Sequence, residues 1–275
     1  MKILLVVYDN DSYIHWFPIG LAYIASVIRK AGHEAVIYSQ DVYHYSEEHL
    51  TKYLDENKFD AVGVSVIGGY YQYRKLLKIS KAVNESKNRP FYIIGGHGPA
   101  PEPEFFFKKT GADAIVIGEG EISTINLLNA LASHKDLSSV NGIAYMKNGK
   151  CVVNPRQELI KDIDSIPFPA WDMFHMDYYS LLRMPHIKNS ERCFPVLSSR
   201  GYPFKCNFCY RMDKGIRIRS NESLIEEIKI LKQKYNISYI AFGDELLMVN
   251  PQRTISLCEA FIKENLNIKW DCNGR

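Results

Sequence analysis

Five short, unbroken apolar runs, each followed by a helical segment, fill the first half of this chain and restrict its fold more than any other feature. The expected strands are Ile3–Tyr8, Glu34–Tyr38, Ala61–Ser65, Phe91–Ile94 and Ala114–Ile117. The expected helices are Gly20–Ala31, Ser46–Asn57, Tyr71–Ser86, Pro103–Thr110 and Glu121–Ser133. Strands apolar on both faces, alternating with amphipathic helices, specify a parallel sheet covered on both sides. In such folds ligands sit beyond the carboxyl ends of the strands, where the loops gather.

Those loops carry glycine. His15-Trp16-Phe17-Pro18-Ile19-Gly20 follows the first strand and Ser65-Val66-Ile67-Gly68-Gly69 the third. Gly95-Gly96-His97-Gly98-Pro99 follows the fourth, and Gly118-Glu119-Gly120-Glu121 the fifth. Glycine lets backbone approach a ligand with no Cβ in the way, and four such loops suggest a long ligand lying across the sheet edge. Plainer readings stand beside this one. His15 and His97 serve equally as polar loop residues, and Glu119 and Glu121 as carboxylates at a helix N-terminus.

At 275 residues the chain is long enough for two cores. Its net charge of +3 forms no basic arm, so no nucleic-acid partner is expected. The apolar stretches are too short for a membrane span, and Met1–Val7 is too short for a signal peptide. Of six cysteines only Cys206 and Cys209 are close-spaced, which is not a secreted disulfide framework and points to a reducing, cytoplasmic location.

Residues 136–190 change character. Asn141–Val153 reads as a hairpin turning at Asn148-Gly149, and Ile166-Pro167-Phe168-Pro169-Ala170-Trp171 is a semi-rigid connector that cannot be helix interior. A second strand and helix alternation fills 191–275, with strands Phe194–Ser199, Ser238–Phe242 and Ile268–Cys272 and helices Asn221–Tyr235 and Pro251–Glu264. Gly201 and Pro203 are expected to break the first of these strands into a loop carrying Cys206, Phe208 and Cys209. Two thiols three positions apart can point at one metal centre. Taken alone they also fit a redox pair or half a zinc site, although no second close pair completes the latter.

The first half resembles a cobalamin-binding domain, whose pattern is Asp-x-His-x-x-Gly, then Ser-x-Leu, then Gly-Gly. Ser65-x-Ile67 and Gly95-Gly96 fit the later elements, with 27 residues between Ile67 and Gly95. With Gly20 as the motif glycine, His15 takes the Asp place and Phe17 that of the cobalt-binding histidine. The resemblance therefore implies cobalamin without a protein histidine on the lower face of cobalt. A flavodoxin-like or response-regulator domain shares the fold, and Asp9 and Asp11 offer the acidic cluster of the latter, but position 65 is Ser where it needs Asp.

The second half resembles the start of a radical S-adenosylmethionine barrel. The family's cluster loop is Cys-x3-Cys-x2-Cys with an aromatic before the last cysteine. Cys206, Phe208 and Cys209 match, while Tyr202 stands at the first cysteine. Phe242-Gly243-Asp244-Glu245 matches the acidic end of the family's second strand, and Trp270 to Arg275 its Trp-x-Cys-x-x-Arg. The combined resemblance implies a Rossmann-like cobalamin domain over 1–135, a linker over 136–190, and the first half of a partial (β/α) barrel over 191–275, a length that fits a fragment. Cobalamin would lie on Phe17, Gly20, Ser65, Ile67, Gly95, Gly96, Gly118, Glu119 and Gly120. S-adenosyl-L-methionine would meet Phe208, Asp244 and Glu245, and a 4Fe-4S cluster Cys206 and Cys209.

Tyr202 puts that cluster in doubt. A phenol ionises near pH 10 and its phenolate is a hard ligand beside soft thiolates. Cys193 is nine residues away along a strand, on the order of 30 Å if extended. Two readings follow. One is a cobalamin-dependent radical S-adenosylmethionine enzyme, methyltransferase-like, with impaired cluster binding, an external electron donor such as flavodoxin or ferredoxin, and a small-molecule or peptide substrate. The other is a non-catalytic cobalamin-binding module with a vestigial barrel segment.

Overall fold

The apolar runs pair as their composition requires. In a computed structural model, which describes residues 1–13, 15–182, 186–204 and 215–274, β1 (Lys2–Val7), β2 (Glu34–Ser39), β3 (Ala61–Ser65), β4 (Phe91–Gly95) and β5 (Ala114–Val116) form a parallel array. The helices between them are α1 (Ile19–Lys30), the single turn α2 (Gln40–Tyr43), α3 (Glu47–Glu56), α4 (Tyr70–Glu85) and α5 (Pro103–Thr110), with α6 (Gly120–Ala132) after β5. The sheet order is β2-β1-β3-β4-β5, so the winding reverses between β1 and β3. That reversal opens a crevice at the carboxyl ends of those two strands.

Helix faces explain the cover. Leu50 and Leu54 of α3 and Leu76, Ile79 and Val83 of α4 are fully buried against Leu4, Val6, Val62, Val64, Ile94 and Ile115 of the sheet. Tyr92 is among the largest fully buried side chains, and its hydroxyl is paired with Ser80 Oγ at 2.8 Å, which removes the cost of an orphaned phenol.

The hairpin forms from β6 (Ile143–Lys147) and β7 (Lys150–Val153). Asn148 and Gly149 both take positive φ, 50° and 74°, the geometry of a tight two-residue turn. β6 pairs antiparallel with β5 and so extends the sheet to seven strands. This first unit comprises residues 1–13, 18–159 and 169–174.

The second unit, residues 14–17, 160–168 and 175–275, begins its own sheet at β8 (Cys193–Val196), after the short helix α7 (Met176–Tyr179). The expected single strand Phe194–Ser199 divides here, and the expected loop at Gly201 is a strand. β9 (Ser199–Tyr202) pairs antiparallel with β10 (Gly215–Ile218). Gly201 is needed because its φ is +87° and a Cβ there would lie 2.4 Å from the Gly215 carbonyl oxygen. Glycine therefore fits the ladder instead of ending it. Then come α8 (Asn221–Tyr235), β11 (Tyr239–Phe242), α9 (Pro251–Lys263) and β12 (Lys269–Asp271). β8, β11 and β12 are parallel in the order β12-β11-β8. Ser220 Oγ caps α8 by accepting from Ser223 N, and Asn250 Oδ1 caps α9 by accepting from Arg253 N. Among the described residues no helix is long and apolar enough to cross a membrane.

Candidate functional site

Two glycine loops of the first unit lock onto each other at the crevice. Val66 N donates to Gly95 O at 2.9 Å and Gly98 N donates to Val66 O at 3.0 Å. A Cβ on Gly96 would stand 2.3 Å from that Val66 oxygen, at φ +90°. Gly96 therefore serves loop-on-loop packing, a role distinct from ligand approach. Gly118 (φ +84°) and Gly69 (φ +93°) differ, because nothing lies within 4 Å of a Cβ built on either. Gly20 is equally open, whereas Gly120 faces Ile24 Cδ1 at 2.9 Å and Gly95 faces Val116.

Apolar side chains stand out of the same rim. Ile67 is 71% exposed, and Tyr70 and Tyr71 are each 73% exposed. Ser65, at the end of β3, pairs with Gly95 in the sheet. Glu119 is the N-cap residue of α6 without a side-chain capping bond, and Glu121 in its first turn is buried.

A polar network at the carboxyl ends of β1 and β2 was not legible in the sequence. Asp9 N donates to Gln40 Oε1 at 3.1 Å, and the buried Asp9 carboxylate lies 2.7 Å from His44 Nδ1. His44 takes φ +52°, a conformation that closes α2 after one turn. The pattern that signalled Asp9 and Asp11 as an acidic pair gave no hint of His44, since the contact spans 35 residues.

His15 and Phe17 belong to the second unit, where both are buried. The Phe17 ring packs at 4.7 Å from Phe194 and edge-on at 5.4 Å from Tyr179. The residue at the histidine place is thus committed to an aromatic cluster.

In the second unit the corner between β8 and β9 is held from several sides. Ser198 N donates to both Asp244 carboxylate oxygens at 3.0 Å, and Ser199 Oγ donates to Asp244 Oδ1 at 2.6 Å. Arg219 N donates to Ser198 O and Arg219 Nη1 to Leu197 O, each at 2.9 Å. The Arg219 guanidinium also pairs with the buried Glu227 and lies over the Phe168 ring at 5.5 Å. Burial pushes the Asp244 carboxyl above the usual carboxylate range, while the Ser199 and Ser198 donors pull it down. Asp244 is 2% exposed; its neighbour Glu245 is exposed.

Tyr202 is the last residue of β9, opposite Gly215, and its ring stands edge-on to Phe204 at 5.6 Å. Cys206, Phe208 and Cys209 lie outside the described residues. Among the described residues no group of three metal-binding side chains converges. Burial, then the charges of Asp271 and Asp244, pushes the Cys272 thiol up.

The donor chemistry separates the groups the sequence implies. The open positions at Gly20 and Gly118 and the exposed Ile67, all in loops or helix starts that follow the carboxyl ends of strands, fit a large flat ligand with an apolar face such as a corrin. The exposed Glu245 carboxylate at the end of β11 fits the ammonium of S-adenosylmethionine. A cluster held by three thiolates does not fit, because the ladder fixes a phenol at position 202.

Residues 5–128 match the B12 binding domain family model. The whole chain is 32% identical to an uncharacterized methyltransferase of Pyrococcus horikoshii and spans 60% of that protein. Over 95% of its length it is 30% identical to the anaerobic magnesium-protoporphyrin IX monomethyl ester cyclase of Rubrivivax gelatinosus, spanning 47% of it. It therefore covers about half to three-fifths of these relatives. Among solved structures, the cobalamin-dependent S-adenosylmethionine radical enzyme OxsB, with aqua-cobalamin and S-adenosylmethionine bound, matches with a TM-score of 0.79 at 23% identity, over 98% of this chain and 38% of that one. The radical S-adenosylmethionine methyltransferase TsrM from Kitasatospora setae, with cobalamin and a 4Fe-4S cluster bound, gives 0.71 at 17% identity, over 96% and 51%. These two likenesses speak for the fold. Residues 5–128 thus belong to the B12 binding domain family, and over its whole length the chain is similar to a methyltransferase and shares the fold of cobalamin-dependent radical S-adenosylmethionine enzymes.

Proposed function

We propose that the first unit binds cobalamin over the crevice at the ends of β1 and β3, with Gly20, Ser65, Ile67, Gly95, Gly96, Gly118, Glu119 and Gly120 around it. The observation that carries this reading is the B12 domain match over 5–128 on a sheet whose winding reverses at the glycine loops. Phe17, at the histidine place, offers no nitrogen to cobalt. Bound cobalamin would supply a cobalt centre able to carry a methyl group; the protein's part is to seat the corrin and exclude water.

The second unit takes S-adenosylmethionine, with Glu245 the exposed carboxylate of the β11 end. The activity of the whole protein is methyl transfer to a small-molecule substrate, a reading supported by the methyltransferases among its relatives. An iron cluster is held weakly, since Cys206 and Cys209 are two thiolates where three are needed and Tyr202 is the third residue. Any electrons would come from an external donor such as flavodoxin or ferredoxin in a reducing cytoplasm.

Titrating the full chain with hydroxocobalamin and following the corrin absorbance tests the first part. A protein that stays colourless after desalting rules it out. Cobalamin binding without S-adenosylmethionine binding would leave a cobalamin module and remove the enzyme reading.

A further inference from the structure

We infer that Asp244 is a positioning residue that clamps the Leu197–Ser199 corner, and that it is not itself a ligand for S-adenosylmethionine. The inference deepens the reading of the second unit and rests on it where ligand binding is concerned. An ionised carboxylate is acceptor-only, with two oxygens to offer. Both Asp244 oxygens already accept, from Ser198 N at 3.0 Å to each and, at Oδ1, from Ser199 Oγ at 2.6 Å. At 2% exposure the accepting capacity that remains is buried, out of reach of a ligand arriving from solvent. Asn273 Nδ2 donates to the Asp244 main-chain oxygen at 3.1 Å, which ties the end of β12 to the same point.

The corner matters because of what it leads to. Ser199 opens β9 opposite Ile218, and the ladder runs to Tyr202 opposite Gly215. Tyr202 and Gly215, paired at the end of this ladder, therefore bracket in sequence the stretch that carries Cys206 and Cys209. Gly243 N donates to Val196 O at 2.9 Å, so β11 grips the chain on both sides of the corner, once through backbone and once through the Asp244 side chain. Arg219 closes the opposite side through Leu197 O and Ser198 O. Bonds with an ionised partner are the stronger kind, so Asp244 in its carboxylate form and the Arg219 guanidinium hold the corner from opposite sides.

Hydrogen–deuterium exchange on the full chain tests the clamp directly. Asp244→Asn keeps the volume but turns an NH2 toward one of the donors. Exchange at residues 198–202 and 215–219 should rise about tenfold, more than at amides elsewhere in the second unit; a rise spread evenly over that unit would mark a general structural role instead. Ser199→Ala should shift the same amides less, and the double variant no further than Asp244→Asn alone. Glu245→Gln should leave exchange as it is. Binding of S-adenosylmethionine to the anaerobically reconstituted chain, by equilibrium dialysis, gives the second arm. Loss of binding in Asp244→Asn without faster exchange at the ladder overturns the proposal, as does unchanged exchange in both Asp244→Asn and Ser199→Ala. If the unsubstituted chain binds no S-adenosylmethionine, the family reading of this unit fails, and the exchange data alone decide the clamp. If Asp244→Asn does not fold, Ser199→Ala carries the exchange measurement.

Discussion

Two glycines at the crevice separate stability from ligand binding. Gly96→Ala forces an L side chain into φ +90° and places its methyl 2.3 Å from the Val66 carbonyl oxygen, where real contacts stay beyond 3.0 Å. The left-handed conformation costs roughly 1–2 kcal/mol. The carbonyl cannot simply retreat, because it accepts from Gly98 N at 3.0 Å. Overpacking and the weakened hydrogen bond bring the total to roughly 3–5 kcal/mol, a large share of the ~5–15 kcal/mol that holds a domain together. Gly118→Ala meets φ +84° but nothing within 4 Å, so only the conformational cost of roughly 1–2 kcal/mol applies. Its methyl instead occupies the open space proposed for the corrin. Urea unfolding followed by far-ultraviolet circular dichroism should show the larger loss in Gly96→Ala. Hydroxocobalamin titration at low urea should show weaker binding in Gly118→Ala. Equal midpoints for the two variants would refute the loop-packing role of Gly96, and unaltered cobalamin affinity in Gly118→Ala would refute the placement of the corrin.

Tyr202→Cys should raise the iron bound per chain after anaerobic reconstitution; equal full occupancy in the unsubstituted protein would show that the phenol is no obstacle. Gly201→Ala, with its methyl 2.4 Å from Gly215 O, should open the β9–β10 ladder, read as faster amide exchange at Ile216–Ile218. Arg219→Ala leaves the buried Glu227 without its countercharge and should cost about 3–5 kcal/mol by urea unfolding, part of which returns when Glu227 is also replaced by alanine. The Ser86 hydroxyl above all, with smaller help from the Lys87 and Asn88 amides, holds the Asp55 carboxyl below its ordinary range against the opposing effect of desolvation. A depressed carboxyl stabilises above the unfolded value of about 3.9 and loses that contribution as pH falls through the folded value. Ser86→Ala should therefore start acid unfolding at a higher pH, seen by circular dichroism in an acid titration.

Local pattern made the first unit legible. β3 and α5 fall where their apolar runs and Pro103 place them, because strand and helix periods are properties of neighbouring residues. What escaped depends on distant partners. β9 contains Arg200 and Gly201 and reads as a break; only pairing with Gly215–Ile218 makes it a strand. The attachment of the hairpin to β5 has the same cause, since the turn at Asn148-Gly149 is local but the choice of sheet is not. Asp244 and Glu245 read as one acidic pair, yet successive residues leaving a strand face opposite ways, so one is buried and the other exposed. His44 was missed because its αL turn and its bond to Asp9 have no signature in the residues around it.

The state of the corner at β8 and β9 bears on what Tyr202 means. If the phenol had replaced a thiolate in a segment already losing its architecture, the groups that position that segment would have no reason to remain satisfied. They are satisfied: Ser198 N, Ser198 O, Leu197 O and Ser199 Oγ all have partners, and Gly201 still allows the close pass of Gly215. Each is a buried polar group or a tight contact that would cost on the order of 1–3 kcal/mol if left unmet. Among the described residues the scaffold on either side of the loop is therefore complete, and the mismatch there is one side chain whose position the ladder sets. Repair of that side chain alone, Tyr202→Cys, is accordingly a stringent test. Iron that still fails to bind would place the defect within residues 203–214, because the frame on either side of them is intact.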